Sequence, residues 1–237
     1  MIVARNLTKA YGDALVVRDV SLDIPSGGIT SIIGPNGAGK STLLGLLSRL
    51  LPATAGSILV DELDVATAPS DVLARRLSIL RQDNHMTARL TVRDLVAFGR
   101  FPHSRGRLTD EDQKKIEEAI KYLGLEELAG RFLDEMSGGQ RQRAFVAMVL
   151  CQDTNYVLMD EPLNNLDMRH AAGMMKLIRR IADELGKTFV LVLHDINFAS
   201  IYSDHIVAMR DGILIAQGSP SEILQSQVLQ RVFEIDV

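Results

Sequence analysis

The sequence predicts an α/β fold: a mostly parallel sheet with helices on its faces, an N-terminal antiparallel β lobe, and a helical lobe inserted into the sheet. Three observations predict it. "MIVARNLTKAY" and "ALVVRDVSLDI" alternate apolar and polar residues on either side of Gly12-Asp13, the pattern of two strands joined by a turn. The middle of the chain holds three helix starts with capping-box spacing. The last third alternates apolar runs with an amphipathic stretch, as parallel strands linked by crossover helices do.

After the first two strands, Pro25 to Gly28 break the chain, and "ITSIIG" follows as a continuous apolar run. Such a run marks a strand buried on both faces. A glycine-rich loop leads into "STLLGLLSRLL", which has helical periodicity, and "GSILVDEL" reads as another strand. Thr91 opens the first middle helix with Asp94 three residues on. Thr109 opens the second with Asp112; its apolar face is Ile116, Ala119, Ile120 and Leu123, and Gly124 stops it. Ser137 opens the third with Gln140. "YVLMD" and "FVLVLH" are buried-type strands, with "MRHAAGMMKLIRRIADELG" a helix between them that ends at Gly186. "HIVAMRDGILIAQG" is a hairpin turning at Asp211-Gly212. The whole, residues 1–237, reads as one domain: β lobe and first part of the core over 1–81, helical lobe over 82–150, the rest of the core over 151–237.

Bulk composition narrows the function. Hydrophobic residues make up 46% of the chain, enough for a substantial core, and charged residues 24%, well mixed. The net charge of −4 argues against a nucleic-acid binder, which carries a basic excess. The lone Cys151 lies in an apolar run, reads as a core residue, and fits a reducing compartment. The N-terminal residues lack the pattern of a secretory leader, and no apolar run nears the roughly 20 residues that span a bilayer. A membrane role would run through a partner.

Residues 34–42, "GPNGAGKST", satisfy G-x-x-x-x-G-K-[ST] between a predicted strand and a predicted helix. This makes the parallel part a P-loop NTPase core. The backbone of Gly34, Pro35, Asn36, Gly37, Ala38 and Gly39 turns N–H groups toward phosphate oxygens, and the helix N-terminus at Thr42 adds positive potential. Lys40 neutralises the β/γ phosphates and Ser41 ligates Mg²⁺. Asp160 and Glu161 end a buried strand, where adjacent carboxylates are costly unless they meet cations or water. Strand alternation points them apart: Asp160 toward Mg²⁺, Glu161 toward the attacking water as general base. His194, at another strand end, can donate to a γ-phosphate. Gln82 follows "LSIL", and its amide can serve both Mg²⁺ and water. "MSGGQRQR" is less simple. A capping box explains Ser137 and Gln140, but not Gly138 and Gly139, each of which weakens a helix by about 1 kcal/mol. Two glycines there make sense if another backbone or a phosphate comes close.

"GPNGAGKST", Gln82, "MSGGQRQR", "YVLMDEP", "NNLD" and His194, in that order, resemble the nucleotide-binding subunit of ABC transporters over about residues 2–225. The resemblance implies a head-to-tail dimer. Each ATP would lie between the P-loop of one copy and Ser137, Gly138, Gly139 and Gln140 of the other. It also implies that Tyr11 stacks on the adenine and that the loop 164–167, with Asn164 and Asn165, touches the opposite copy. The missing membrane helices resemble an importer subunit working on separate permease chains at the cytoplasmic face of the membrane. "RQDNHMTARLTVRDLVAFGRFPHSRGRLT", residues 81–109, with "EPLNNLDMRHA" and "LHDINFASIYSD", is similar to the iron(III)-siderophore importer branch. That branch takes its cargo from a periplasmic or lipid-anchored binding protein. Arg100, Arg105 and Arg107 are expected to face the permease. The alternatives are a haem or cobalamin importer, an ATP-binding adaptor without useful hydrolysis, and a nucleic-acid ATPase of the same fold. The acidic balance speaks against the last, and Glu161 with His194 against the adaptor.

Overall fold

The computed structural model describes residues 1–82, 88–164 and 166–234. Strands β1 (Ile2–Tyr11) and β2 (Ala14–Ile24) form the expected antiparallel pair around Gly12. Strand β3 (Gly28–Ile33) is buried at every residue after its first, which is why its sequence shows no alternation. Helix α1 (Lys40–Leu47) stops short of the apolar run that suggested it. The Ser48 hydroxyl donates to the carbonyls of Leu44 and Gly45 at 3.0 and 3.1 Å, and Arg49 adopts a left-handed φ of 60°. The segment read as one strand after Ala55 is two, β4 (Ala55–Val60) and β5 (Leu63–Asp64), because Asp61 and Glu62 turn the chain at φ 46° and 68°. A short α2 (Ser70–Ala74) and β6 (Leu77–Leu80) precede α3 (Val92–Phe98), α4 (Phe101–Ser104), α5 (Asp110–Tyr122) and α6 (Gly138–Cys151). The chain then runs through β7 (Tyr156–Asp160), α7 (Met168–Leu185), β8 (Thr188–Val192), α8 (Ile196–Tyr202), β9 (His205–Arg210), β10 (Ile213–Gly218), α9 (Pro220–Ile223) and α10 (Ser226–Phe233).

Two sheets result among the described residues. One is antiparallel, in the order β2-β1-β4-β5; the other runs β10-β9-β3-β8-β7-β6. In the second, β9, β3, β8, β7 and β6 are mutually parallel and only the β9–β10 hairpin is antiparallel. One apolar cluster packs the antiparallel sheet and α1 against one face of the parallel sheet, through residues such as Leu22, Leu43, Leu158 and Val190. A second covers the other face with α7 and the helices α3, α5 and α6. The capping boxes at Thr91, Thr109 and Ser137 all form, and Gly186 ends α7 in a left-handed conformation.

The stretch after Phe98 corrects one expectation. Arg100 does not face outward. It is buried, its Nε donates to Asp112 Oδ1 at 2.8 Å, and its Nη1 donates to the Cys151 carbonyl at 2.9 Å. The short helix α4 and the contact of His103 Nε2 with the Gln152 carbonyl at 2.9 Å turn the chain inward there. Burial alone would raise the Asp112 carboxyl, but the Thr109 backbone N–H and Arg100 outweigh it and hold it at about 2. Arg105 and Arg107 remain exposed. Cys151 is buried, and burial pushes its thiol up to about 12.

Candidate functional site

The parallel sheet brings most of the predicted site together. In the order β3-β8-β7-β6, four neighbouring strands leave the sheet at the same edge. The loop 34–42 follows β3, His194 lies just past β8, Asp160 ends β7 with Glu161 directly after it, and Gln82 lies just past β6. Ligands bind at this carboxyl edge in open α/β sheets.

The loop is shaped by its glycines and closed by its lysine. A side chain at Gly34 would meet the Met209 carbonyl oxygen at 2.1 Å, so neighbouring backbone dictates that glycine. Asn36 and Gly37 are exposed at the tip, while Ala38, Gly39 and Lys40 are buried. Lys40 Nζ donates to the carbonyls of Gly34 and Pro35, each at 2.9 Å, folding the ammonium back into its own loop. Burial lowers the Lys40 pKa, and the carboxylates of Glu161 and Asp160 partly offset this. Ser41 Oγ donates to Asp160 Oδ1 at 2.9 Å, with Thr42 beside it on the first turn of α1. Burial raises the Asp160 carboxyl, against the Ser41 bond. Hydroxyl and carboxylate thus meet at one point, with the Gln82 amide near the same carboxylate pair. This all-oxygen donor set suits Mg²⁺.

Glu161 is the centre of the other half. Its Oε1 lies 2.5 Å from His194 Nε2, and its Oε2 accepts from Gln82 Nε2 at 2.7 Å. The Gln82 carbonyl oxygen is left for another partner. Only 12% of the Glu161 side chain is exposed, so the carboxylate is oriented and largely shielded. Its backbone takes a left-handed φ of 50°, which is uncommon for glutamate and re-aims the chain before Pro162. A cavity of about 330 Å³ with Leu163, Val192 and Phe198 in its wall adjoins Glu161 and His194.

Other predicted residues lie apart. Tyr11, at the end of β1, is half exposed, with Lys9 Nζ 5.0 Å from its ring centre. Ser137 and Gln140 are bonded to each other: Ser137 Oγ accepts from the Gln140 backbone N–H at 3.3 Å, and Gln140 Oε1 accepts from the Ser137 N–H at 3.1 Å. Among the described residues, no hydrogen bond or ion pair joins residues 137–140 to 34–42. The glycines between them differ. A Cβ at Gly139 would meet His170 at 3.0 Å, whereas one at Gly138 would meet nothing within 4 Å. The chain itself therefore explains Gly139 but not Gly138. Asn164 is exposed, and Asp167 caps α7 by accepting from the His170 N–H at 2.8 Å. Asn165 and residues 83–87 of the 81–109 segment lie outside the described residues. Sequence reasoning passed over Gln142, whose Nε2 donates to the Pro162 carbonyl at 3.0 Å and ties α6 to the turn behind Glu161. Its place one turn past Ser137 was the available signal.

The profile of the family described as "ABC transporter" matches residues 17–164, more than half of the chain. The chain belongs to the ABC transporter family. Among ABC proteins, it is 50% identical over 237 residues to the "Petrobactin import ATP-binding protein YclP" of Bacillus subtilis, covering 100% of this chain and 94% of that one. It is 53% identical over 234 residues to the "Petrobactin import ATP-binding protein FatE" of Bacillus anthracis, with 99% and 94% covered. The ABC cassette titled "Dimeric structure of a post-hydrolysis state of the ATP-binding cassette MJ0796 bound to ADP and Pi" superposes with a TM-score of 0.81 at 30% identity, covering 93% of this chain and 99% of that one.

Proposed function

We propose that this chain is the ATP-hydrolysing subunit of a bacterial iron(III)-siderophore importer and works as a head-to-tail dimer. The observation that carries the mechanism is a division of parts. The loop 34–42, Asp160, Glu161, Gln82 and His194 cluster at one sheet edge, while Ser137 and Gly138 stand apart, with open space in front of a glycine the fold does not need. A second copy supplies what is missing: its residues 137–140 cover the γ-phosphate that the first copy's loop leaves bare. Tyr11 stacks on the adenine from the exposed end of β1.

Chemistry then follows from the residues. Lys40 leaves the Gly34 and Pro35 carbonyls for the β/γ phosphates, an exchange of one set of oxygen acceptors for another. Glu161, held at both oxygens, takes a proton from the attacking water. The water oxygen bonds to the γ-phosphorus, the bond from that phosphorus to the ADP oxygen breaks, and the proton ends on phosphate. His194 Nε2 holds Glu161 before the nucleotide arrives and turns to donate to the γ-phosphate once it is bound. Ser41, Asp160 and Gln82 would hold Mg²⁺, which when bound neutralises charge on the β and γ phosphates.

The siderophore assignment rests on the two petrobactin import relatives and on the similarity of residues 81–109 to that branch. No helix of the described residues is long and apolar enough to cross a membrane. Permease chains would therefore hold this subunit at the cytoplasmic face, and a separate periplasmic or lipid-anchored protein would bind the siderophore outside. Glu161→Gln tests the chemistry. Phosphate release should fall about 10²–10⁴-fold, the usual worth of a general base, while ATP still binds and drives dimerisation in size-exclusion chromatography. Unchanged turnover would remove Glu161 from the base role. Cells lacking this chain should lose uptake of iron-loaded siderophore and keep uptake of haem; the reverse would point to the haem alternative.

A further inference from the structure

We infer that a groove between the end of α5, the start of α6 and the first half of α7 is a binding site for a multivalent phosphate anion, distinct from the loop 34–42 and sharing only Gly139 with the surface proposed to cover the partner copy's nucleotide. The groove has a volume of about 750 Å³, and Lys121, Arg143, Arg169 and Arg180 line it without any carboxylate. In a chain of net charge −4 this is a local reversal of sign.

Neighbouring features show that the reversal is specific to this place. An adjoining cleft of about 710 Å³ shares Lys121 and Arg180 with the groove and sets Glu118, Asp153 and Glu184 against them and against Lys115 and Lys187, whereas Arg143 and Arg169 line the groove and not this cleft. Elsewhere Arg89, Arg100, Arg179 and Arg210 are each paired with an acid. In the groove, Lys121, Arg143 and Arg169 have no side-chain hydrogen bond or ion pair among the described residues. Arg180 donates to the Tyr122 carbonyl at 3.0 Å and lies over the Tyr122 ring, with no ion pair among the described residues. His170 is already engaged by Asp167 at 2.8 Å, and Glu184, just outside the groove, accepts from the Tyr122 hydroxyl.

Chemistry selects the ligand class. Guanidinium groups match phosphate oxygens in a bidentate fork, and several cations around one concavity favour several charges on one small molecule. Single-stranded nucleic acid needs exposed aromatic platforms, and of the groove's two rings Tyr122 is capped by Arg180 and His170 is held by Asp167. The ligand is therefore an oligophosphate, free or carried by a nucleoside. It would sit behind the helix that presents residues 137–140, since Gly139 and Arg143 both line the groove.

Calorimetric titration with sodium tripolyphosphate tests this independently of the proposed catalytic reading. The wild-type chain should bind two per chain, one in the loop 34–42 and one in the groove. Lys40→Ala should bind one. Lys121→Gln/Arg169→Gln, which alters exposed unpaired side chains, should keep its basal ATPase rate and weaken the groove site at least about tenfold, the worth of a single lost charge-assisted contact. Arg143→Gln should weaken it in the same way. ATP added to Lys40→Ala identifies the source: tighter binding than tripolyphosphate marks a nucleoside-linked ligand, weaker binding a free one, and both support the site. If Lys40→Ala abolishes all tripolyphosphate binding, or the groove variants leave both sites intact, the inference is overturned. If poly-glutamate binds the groove and tripolyphosphate does not, the ligand class is overturned. Two sites remaining in Lys40→Ala would instead count against the role of Lys40.

Discussion

Gly34 and Gly37 belong to one loop yet are required for different reasons. A methyl group at Gly34 would collide with the Met209 carbonyl, whereas one at Gly37 would meet nothing. Gly34→Ala should therefore add the roughly 1–3 kcal/mol typical of overpacking to the cost of its own positive φ, a larger loss than at Gly37, or prevent folding. Gly37→Ala should fold with a loss of about 1–2 kcal/mol from its positive φ and show its main defect in nucleotide affinity. Thermal melts paired with nucleotide titration separate the two; equal melts would contradict the steric account. Glu161 is also costly where it stands. It holds a left-handed backbone, and its charge contributes to raising the carboxyl of Asp160. Glu161→Asn, which keeps a side chain suited to that φ and removes the charge, should melt no lower than the parent while losing turnover. At this scale the sequence displayed each functional group but not their meeting. That Glu161 touches both Gln82 and His194 depends on β7 lying between β6 and β8, and strand order leaves no trace in local spacing.

Among the elements, the pairing of α5 with the turn after α3 is the sharpest case. Arg100 and Asp112 form a buried ion pair, so removing one member strands the other. Arg100→Met should cost about 3–5 kcal/mol. The sign of the pH dependence follows from the depressed Asp112 carboxyl. Its contribution is complete above the unfolded value of about 4 and is lost as pH falls toward about 2. The melting difference between the parent and Asp112→Asn should shrink over that interval; a constant difference would mean the pair contributes no charge interaction. Helices with capping boxes and clear apolar faces were legible because their signals are local. The short α2, α4, α8, α9 and α10 were not, since so few residues cannot sustain a helix alone and depend on what they pack against. The inward turn of Arg100 belongs to the same class: an arginine in a basic run gives no sign that a carboxylate twelve residues on waits in the core.

For the molecule as a whole, the proposed dimer makes a prediction that no single-chain enzyme would meet. Lys40→Ala damages a copy's own loop, and Ser137→Arg blocks the surface it offers to its neighbour. Each variant alone should be inactive. Mixed, they form pairs in which one interface carries both defects and the other carries none, so ATPase activity should return on mixing. No recovery, with mixed pairs demonstrated by mass, would count against shared sites. Cys151 makes such motion observable. Its thiol is buried and stays protonated far above neutral pH, so it offers almost no thiolate to an alkylating reagent. A cysteine placed at an exposed position outside the site, such as Glu127, could thus carry a fluorescent label while the native sulfur stays silent, and opening and closing become visible in an otherwise unaltered chain.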